Sequence, residues 1–533
     1  MSQAPTPAST AANSDTAQPS APAERGWPFS PATAVIVAAS LLGLVLRLLY
    51  FARPGHLLGV TEYDDGVYFG AAVRLVHGVV PYKDFILVQP PGLPLLMTPF
   101  AALSRVIGTP AGMALGRLLT ALAGAASVPL AGWLVRRRGL PVLIITCGIT
   151  AVFPYAIQAA HTVLQEPWLV LFCLLGLLAV FEDDRLTTST RRLAWGGVAF
   201  GFGGAIKLWA VFPVVVLIVM LVLARRPRQG CVFTGGAAAG FLVPVLPFFA
   251  LGPSNFYHGV FVAQVVRVDD VRTSLWTRLE DLSGLTSSMH GLIALVVVLI
   301  VVVVAASCVG ASLLTRQLPP PLEWFVLVTT VVLLGAFVEP VDFYYHYAGF
   351  FAPFLALAIA LPLGRLAAAL QDKPRVQISG FRAGGILSGV AGLLVLLMFL
   401  AQAHTLSTAR PSVVPTYADS IIPAGACVVT DQVSYTIMAN RFTSDVPGCA
   451  QIVDGLGSDL DLSNGRNGVT DAGKNPAVAA LWMNAFRHAQ YIWLSSAING
   501  ISDRRIAWNP ALRAYFAANF TQVPGHDRFY RRN

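Results

Sequence analysis

The stretch Ile86-Leu87-Val88-Gln89-Pro90-Pro91-Gly92-Leu93-Pro94-Leu95-Leu96-Met97-Thr98-Pro99-Phe100-Ala101-Ala102-Leu103 decides how the chain is laid out. It is apolar enough to be counted as a membrane span. If it crosses, every later loop changes side. Two properties argue against crossing. Pro90, Pro91, Pro94 and Pro99 suit a broken helix at a membrane interface better than a regular span. The positive-inside rule points the same way. With 86–103 kept out, the loops holding Arg136 to Arg138, Arg185, Arg191, Arg192, Arg225, Arg226, Arg228, Arg316, Arg365, Lys373, Arg375 and Arg382 share one side, read as cytoplasmic. The loops holding Glu62, Asp64, Asp65, Asp84, Asp269, Asp270, Glu280, Asp281, Glu339 and Asp342 share the other.

The rest of the chain supports a membrane reading. It has 533 residues, 55% hydrophobic and 12% charged, with mean hydropathy +0.66. Soluble domains carry about 25% charged residues. The segments 31–51, 112–134, 140–157, 163–181, 193–206, 208–224, 231–251, 290–314, 322–338, 345–363 and 384–402 are candidate spans, about eleven in number at roughly 20 residues per crossing. The net charge of +9 is carried by arginines in short loops, a topology signal and not a nucleic-acid signature. No nucleic-acid partner is expected. Residues 1–26, rich in Ala, Pro, Ser and Thr, read as a disordered cytoplasmic tail.

Residues 27–402 form the membrane domain, in which 52–110 is a large outer loop. Two surface helices are expected there. The first runs from about Gly66 to His77, with Asp64 or Asp65 as N-cap and Gly78 just past its end. The second runs from about Leu93 to Val106. After about residue 403 the apolar runs shorten. Gly425 to Asp431 and Tyr491 to Leu494 read as buried strands, and 475–488 as a helix. Residues 403–533 are therefore an extracytoplasmic α/β or α+β domain, in which Cys427 and Cys449 are expected to pair as a disulfide. Cys147, Cys173, Cys231 and Cys308 lie in apolar segments and read as buried hydrophobes. Walker, HExxH and paired CxxC signatures are absent from the sequence.

Asp64-Asp65-Gly66-Val67-Tyr68, His77-Gly78-Val79-Val80-Pro81-Tyr82-Lys83-Asp84 and Gln89-Pro90-Pro91-Gly92 together resemble the first outer loop of the GT-C glycosyltransferases. The most similar branch contains protein O-mannosyltransferases and the lipid A aminoarabinose transferase. Tyr345-His346-Tyr347 with Pro353, and Lys207 at the end of a short helix, fit the same branch. The resemblance implies a polyprenyl-phosphate-sugar donor, a glycan, lipid or protein acceptor, and chemistry at the outer face of the plasma membrane. It also implies an acidic pair in this loop, which falls on Asp64 and Asp65. Gln89 departs from the pattern, since related sequences carry Lys or His before Pro-Pro.

Glycosyl transfer to a hydroxyl needs a base for the acceptor proton and donors on the departing phosphate. Asp64 is the expected base, with Asp65 supporting it. Either residue also suits a simple helix cap. Lys83, Gln89, Lys207, Tyr345 and His346 are the expected donor-phosphate or substrate contacts, against solvated-loop and interfacial-belt alternatives for the same residues. His161 and Glu166 are candidates to hold the acceptor or a divalent cation. A transporter or flippase of lipid-linked sugars, a ligase or polymerase of lipid-linked glycans, and a glycan-binding protein are the competing classes. The gathering of polar residues at one face, with spans nearly free of mid-helix charge, favours surface chemistry over transport.

Overall fold

The computed structural model describes residues 30–265, 273–285, 291–338, 342–371, 383–450, 452–463, 471–497 and 505–533. The expected tail 1–26 lies outside the described residues. So do the loop residues Asp269, Asp270, Glu339, Lys373, Arg375 and Arg382.

Each apolar segment listed above forms a helix. They are α1 (Pro31–Phe51), α4 (Thr109–Val135), α5 (Leu140–Val152) with the short α6 (Pro154–Ala159), α7 (Glu166–Val180), α8 (Thr190–Ile206), α9 (Val211–Leu223) and α10 (Pro227–Leu251). The later ones are Ile293–Thr315, Pro321–Val338, Tyr347–Gln371 and Ala383–Ser407. Among the described residues, 7 helices are long and apolar enough to cross a membrane. The outer flanks of the bundle are apolar and exposed, as on Val243, Leu246, Val298, Val302, Val390 and Leu397. Lipid, not protein, satisfies such a surface.

The loop between α1 and α4 carries α2 (Asp64–Val76) and α3 (Gly92–Ile107). α2 begins two residues earlier than expected. Its N-cap is Tyr63, so both aspartates lie in the first turn, where carboxylates complement the helix dipole. A 16-residue helix is about 24 Å long. One end of α3 follows Val88, which shares a cavity wall with Gly457 and Leu460 of the C-terminal domain. At the other end, Gly108 turns at φ +86° into α4, and Thr109 is held by that same domain. Its amide donates to Asn440 Oδ1 at 3.0 Å and its hydroxyl to the Ile437 carbonyl at 2.6 Å. The segments flanking α3 thus meet the C-terminal domain, while α3 itself packs against α2 and α4.

The C-terminal domain is built on a four-stranded mixed sheet, in the order β3 (Val428–Thr430), β4 (Tyr491–Trp493), β6 (Phe529–Arg532), β5 (Phe520–Gln522). The numbering counts a two-stranded hairpin earlier in the chain, β1 (Phe181–Glu182) and β2 (Arg185–Leu186). β3 and β4 are parallel and the remaining pairs antiparallel. The helix Pro476–His488 starts at its Asn475 cap and packs Trp482 and Phe486 beneath the sheet. Cys427 and Cys449 form a disulfide with Cα atoms 5.6 Å apart.

The domain is fastened to the loop around α2. Asp65 is fully buried and accepts from Arg117 of α4, with Nη2 at 2.5 Å and Nε at 3.2 Å. Arg117 Nη1 also donates to the carbonyls of Leu57 and Gly59, each at 2.8 Å. The other Asp65 oxygen lies 2.9 Å from Ser434 Oγ of the C-terminal domain. Gly66 permits that approach, because a Cβ there would stand 2.5 Å from the Ser434 amide nitrogen. Breaking a buried pair strands an uncompensated charge and costs about 3–5 kcal/mol. Arg117→Met is therefore expected to lower the melting temperature sharply and to free the C-terminal domain for proteolysis. Adding Asp65→Asn should recover part of the loss. Unchanged melting in Arg117→Met would count against the pair as an anchor.

Candidate active site

A cavity of about 440 Å³ lies where the first outer loop, the ends of α8 and of the helix Tyr347–Gln371, and the C-terminal domain converge. Asp64 lines it and Asp65 does not. Successive residues of a helix turn point about 100° apart, so one carboxylate faces the cavity while its neighbour turns to Arg117. Among the described residues Asp64 has no ion-pair partner within 4 Å. Burial pushes its carboxyl up to about 7, with Glu62 and Asp454 adding to the rise while His346 and Lys207 oppose it.

The cationic side of the cavity is assembled around Glu166. Its Oε1 accepts from Lys207 Nζ at 2.5 Å and from His346 Nδ1 at 2.8 Å. The Lys207 ammonium also sits over the rings of Trp209 and Tyr347, 3.8 and 4.7 Å from their centroids. A desolvated cation above an aromatic face is stabilised there by about 2 kcal/mol. Three local features set this pole. Lys207 ends α8 in extended backbone, turning its side chain inward. Gln165 clasps the same end, donating to the Ile206 carbonyl at 2.5 Å and accepting from Tyr68 at 3.1 Å. Gly92 lets α3 abut it, since a Cβ would lie 2.5 Å from the Ala205 carbonyl oxygen. Tyr345 donates to Glu62 Oε2 at 2.9 Å and lines the cavity, as Gln89 does.

The opposite wall belongs to the C-terminal domain. Tyr63 reaches up to Asp454 at 3.1 Å. Asp431 accepts from the Ser495 amide at 2.7 Å, and Arg505 donates to Gln432 Oε1 at 2.8 Å. Asp431, Asp454, Ser495 and Arg505 all line the cavity.

The model of glycosyltransferase family 87 matches residues 88–340. No curated protein matches the sequence. Among solved structures, ArnT from Cupriavidus metallidurans bound to undecaprenyl phosphate is similar at 14% identity, with TM-score 0.57, over 93% of this chain and 97% of that one. The Archaeoglobus fulgidus oligosaccharyltransferase in complex with Zn and sulfate is similar at 14% identity, with TM-score 0.51, over 93% of this chain and 73% of its own. The chain has the GT-C fold.

Within this GT-C fold the expected site residues separate. Asp64, Gln89, Lys207, Tyr345 and His346 converge on the cavity. Lys83 does not. It is exposed in the tight turn Pro81 to Phe85, which Asp84 and Val80 close on themselves, away from the cavity lining. His161 does not reach the cavity either. It is buried and stacks on Tyr50 with centroids 4.0 Å apart. Asp65 is engaged in the ion pair with Arg117 and does not line the cavity. Glu166 is committed to Lys207 and His346. Among the described residues no three His, Cys, Asp or Glu side chains form a metal-holding group. Nothing local in the sequence marks Arg117 or Arg505. Their partners lie 52 residues away in one case and 73 in the other, with no local spacing to signal them.

A carboxyl held near 7 accepts a proton only when ionised. Any reaction using Asp64 as base should quicken about tenfold per pH unit below 7 and level off above it. The stability consequence has the opposite sign. The folded value is raised from 3.8, so the stability linked to Asp64 is present at low pH and lost as pH climbs towards 7. Asp64→Asn should therefore melt higher than wild type at pH 8 and no higher at pH 4. Equal melting differences at the two pH values would show that Asp64 is not so shifted.

Proposed function

We propose that this protein transfers a sugar from a polyprenyl-phosphate-sugar donor to a hydroxyl of an envelope glycan, lipid or protein. The reaction takes place at the outer face of the plasma membrane, with the N-terminus cytoplasmic and residues 403–533 extracytoplasmic. The observation that carries this reading is one cavity holding a proton acceptor, Asp64, opposite a cationic pole, Lys207 and His346.

Each pole has one task. Asp64 removes the proton of the acceptor hydroxyl as that oxygen bonds to the anomeric carbon. The bond from the anomeric carbon to the phosphate oxygen breaks, and the electron pair leaves with the phosphate. Lys207 Nζ and the free edge of His346 meet the charge that develops there. Glu166 fixes Lys207 and His346 through a single oxygen, so both side chains are already in place when the phosphate departs. Tyr345 and Gln89 border the sugar between the poles. The prenyl chain would lie on the apolar flank.

The test uses the full chain in nanodiscs with a panel of polyprenyl-phosphate sugars. Asp64→Asn should lose about 10²–10⁴-fold in transfer rate while keeping its affinity for undecaprenyl phosphate. Lys207→Met and His346→Ala should raise the donor KM. Full transfer by Asp64→Asn would remove it as the base. Lipid movement across the bilayer by wild type without sugar transfer would make the protein a transporter.

A further inference from the structure

Arg47 lies in α1 and is 1% exposed, inside the helix bundle. A charged side chain at that depth is costly and is rarely kept without a partner or a task. Its Nη1 donates to the carbonyls of Gly43 at 3.0 Å and Ala151 at 3.3 Å. Among the described residues no carboxylate lies within 4 Å of it, and its buried Nε has no partner. α4 is thinned to admit the guanidinium. A Cβ at Gly124 would stand 3.0 Å from Arg47 Nε and 2.9 Å from the Ala160 methyl.

Glu166 presents the complementary deficit. Oε1 serves both Lys207 and His346, while Oε2 is buried with no partner. A carboxylate oxygen left unpaired in a desolvated site forfeits about 1–3 kcal/mol or more. Arg47 and Glu166 line one small cavity in the bundle, together with Ser127 and Thr150. Its volume is about 10 Å³, which is room for a single water. Both hydroxyls spend their protons on helix carbonyls, Ser127 on Gly124 and Thr150 on Thr146, and keep lone pairs free to accept. One water there has a donor in Arg47, an acceptor in Glu166 and hydroxyl oxygens beside it.

We propose that Arg47 is a positioning residue for the phosphate pole: a single buried water joins its Nε–H to Glu166 Oε2. The guanidinium thereby orients Glu166, and through it Lys207 and His346. It also takes up part of the Glu166 charge, leaving the pole more cationic towards the cavity. This inference rests on the assignment of Lys207 and His346 to the donor phosphate. Arg47 itself touches neither the substrate nor the active-site cavity.

Two measurements on the full chain in nanodiscs test it. The first is a cryo-EM map of the wild type at a resolution that shows ordered water. Density between Arg47 and Glu166 is expected, and a dry cavity overturns the proposal. The second is undecaprenyl phosphate affinity and donor KM across Arg47→Met, Arg47→Lys, Glu166→Gln and the Arg47→Met/Glu166→Gln double variant. Arg47→Met should weaken phosphate binding and raise donor KM about tenfold with kcat little changed, as for other outer-shell partners. Arg47→Lys should recover part of that, and Arg47→Met should add nothing once Glu166 is Gln. A folded Arg47→Met that binds undecaprenyl phosphate like wild type overturns it, as does full additivity in the double variant. If Arg47→Met does not fold, the map and Arg47→Lys decide: Arg47→Lys is then expected to bind more weakly than wild type with the water displaced, and equal binding with an undisturbed Glu166 overturns the proposal. Failure of the wild type to bind undecaprenyl phosphate at all would instead strike the proposed function, and the map would still report on the water.

Discussion

The buried pair of Asp65 and Arg117 is the interaction on which the other contacts depend. It joins three parts of the chain that are far apart in sequence. Arg117 rises from a helix of the bundle and gathers the carbonyls of the first outer loop. Asp65 brings α2 to it, and Ser434 brings the C-terminal domain to Asp65. Two desolvated charges repay their desolvation only when geometry is good and their remaining donors and acceptors are filled. Here Asp65 has both oxygens engaged, and most of the Arg117 donors are used. The site could not tolerate much play in α2, because Asp64 is the next residue along.

Placing adjacent aspartates in one helical turn gives them opposite fates. Asp65 is neutralised by Arg117, while Asp64 faces a cavity and is pushed towards neutrality by burial. The same separation of roles appears at Glu166, whose Oε1 organises Lys207 and His346 and whose Oε2 faces the interior. Acid and base functions are thus set by surroundings and not by residue type. The C-terminal domain completes the enclosure. Without Asp431, Asp454 and Arg505 the cavity would be an open depression on the bundle, where water would screen the Lys207 charge.

Much of this was legible in the sequence. Apolar runs of roughly 20 residues announce helices, because no other backbone arrangement satisfies its own hydrogen bonds in lipid. The run 475–488 and the apolar strands at 428 and 491 are local signals, and each produced the expected element. The acidic loop and Tyr345-His346 drew attention through a resemblance confined to short motifs. Lys83 drew attention for the same reason, yet it sits on the outer rim of a turn, since a motif fixes order along the chain and not the direction of a side chain.

What the sequence by itself determined is the set of helices, the membrane class and the presence of a separate C-terminal domain, all of which follow from hydropathy and local backbone preference. Only the tertiary structure decided which of Asp64 and Asp65 faces the cavity, that Glu166 holds Lys207 and His346, and that Arg117, Arg505 and Arg47 matter. Those outcomes rest on contacts between residues tens to hundreds of positions apart. Periodicity and composition carry no record of such pairings, because they are fixed by packing across elements.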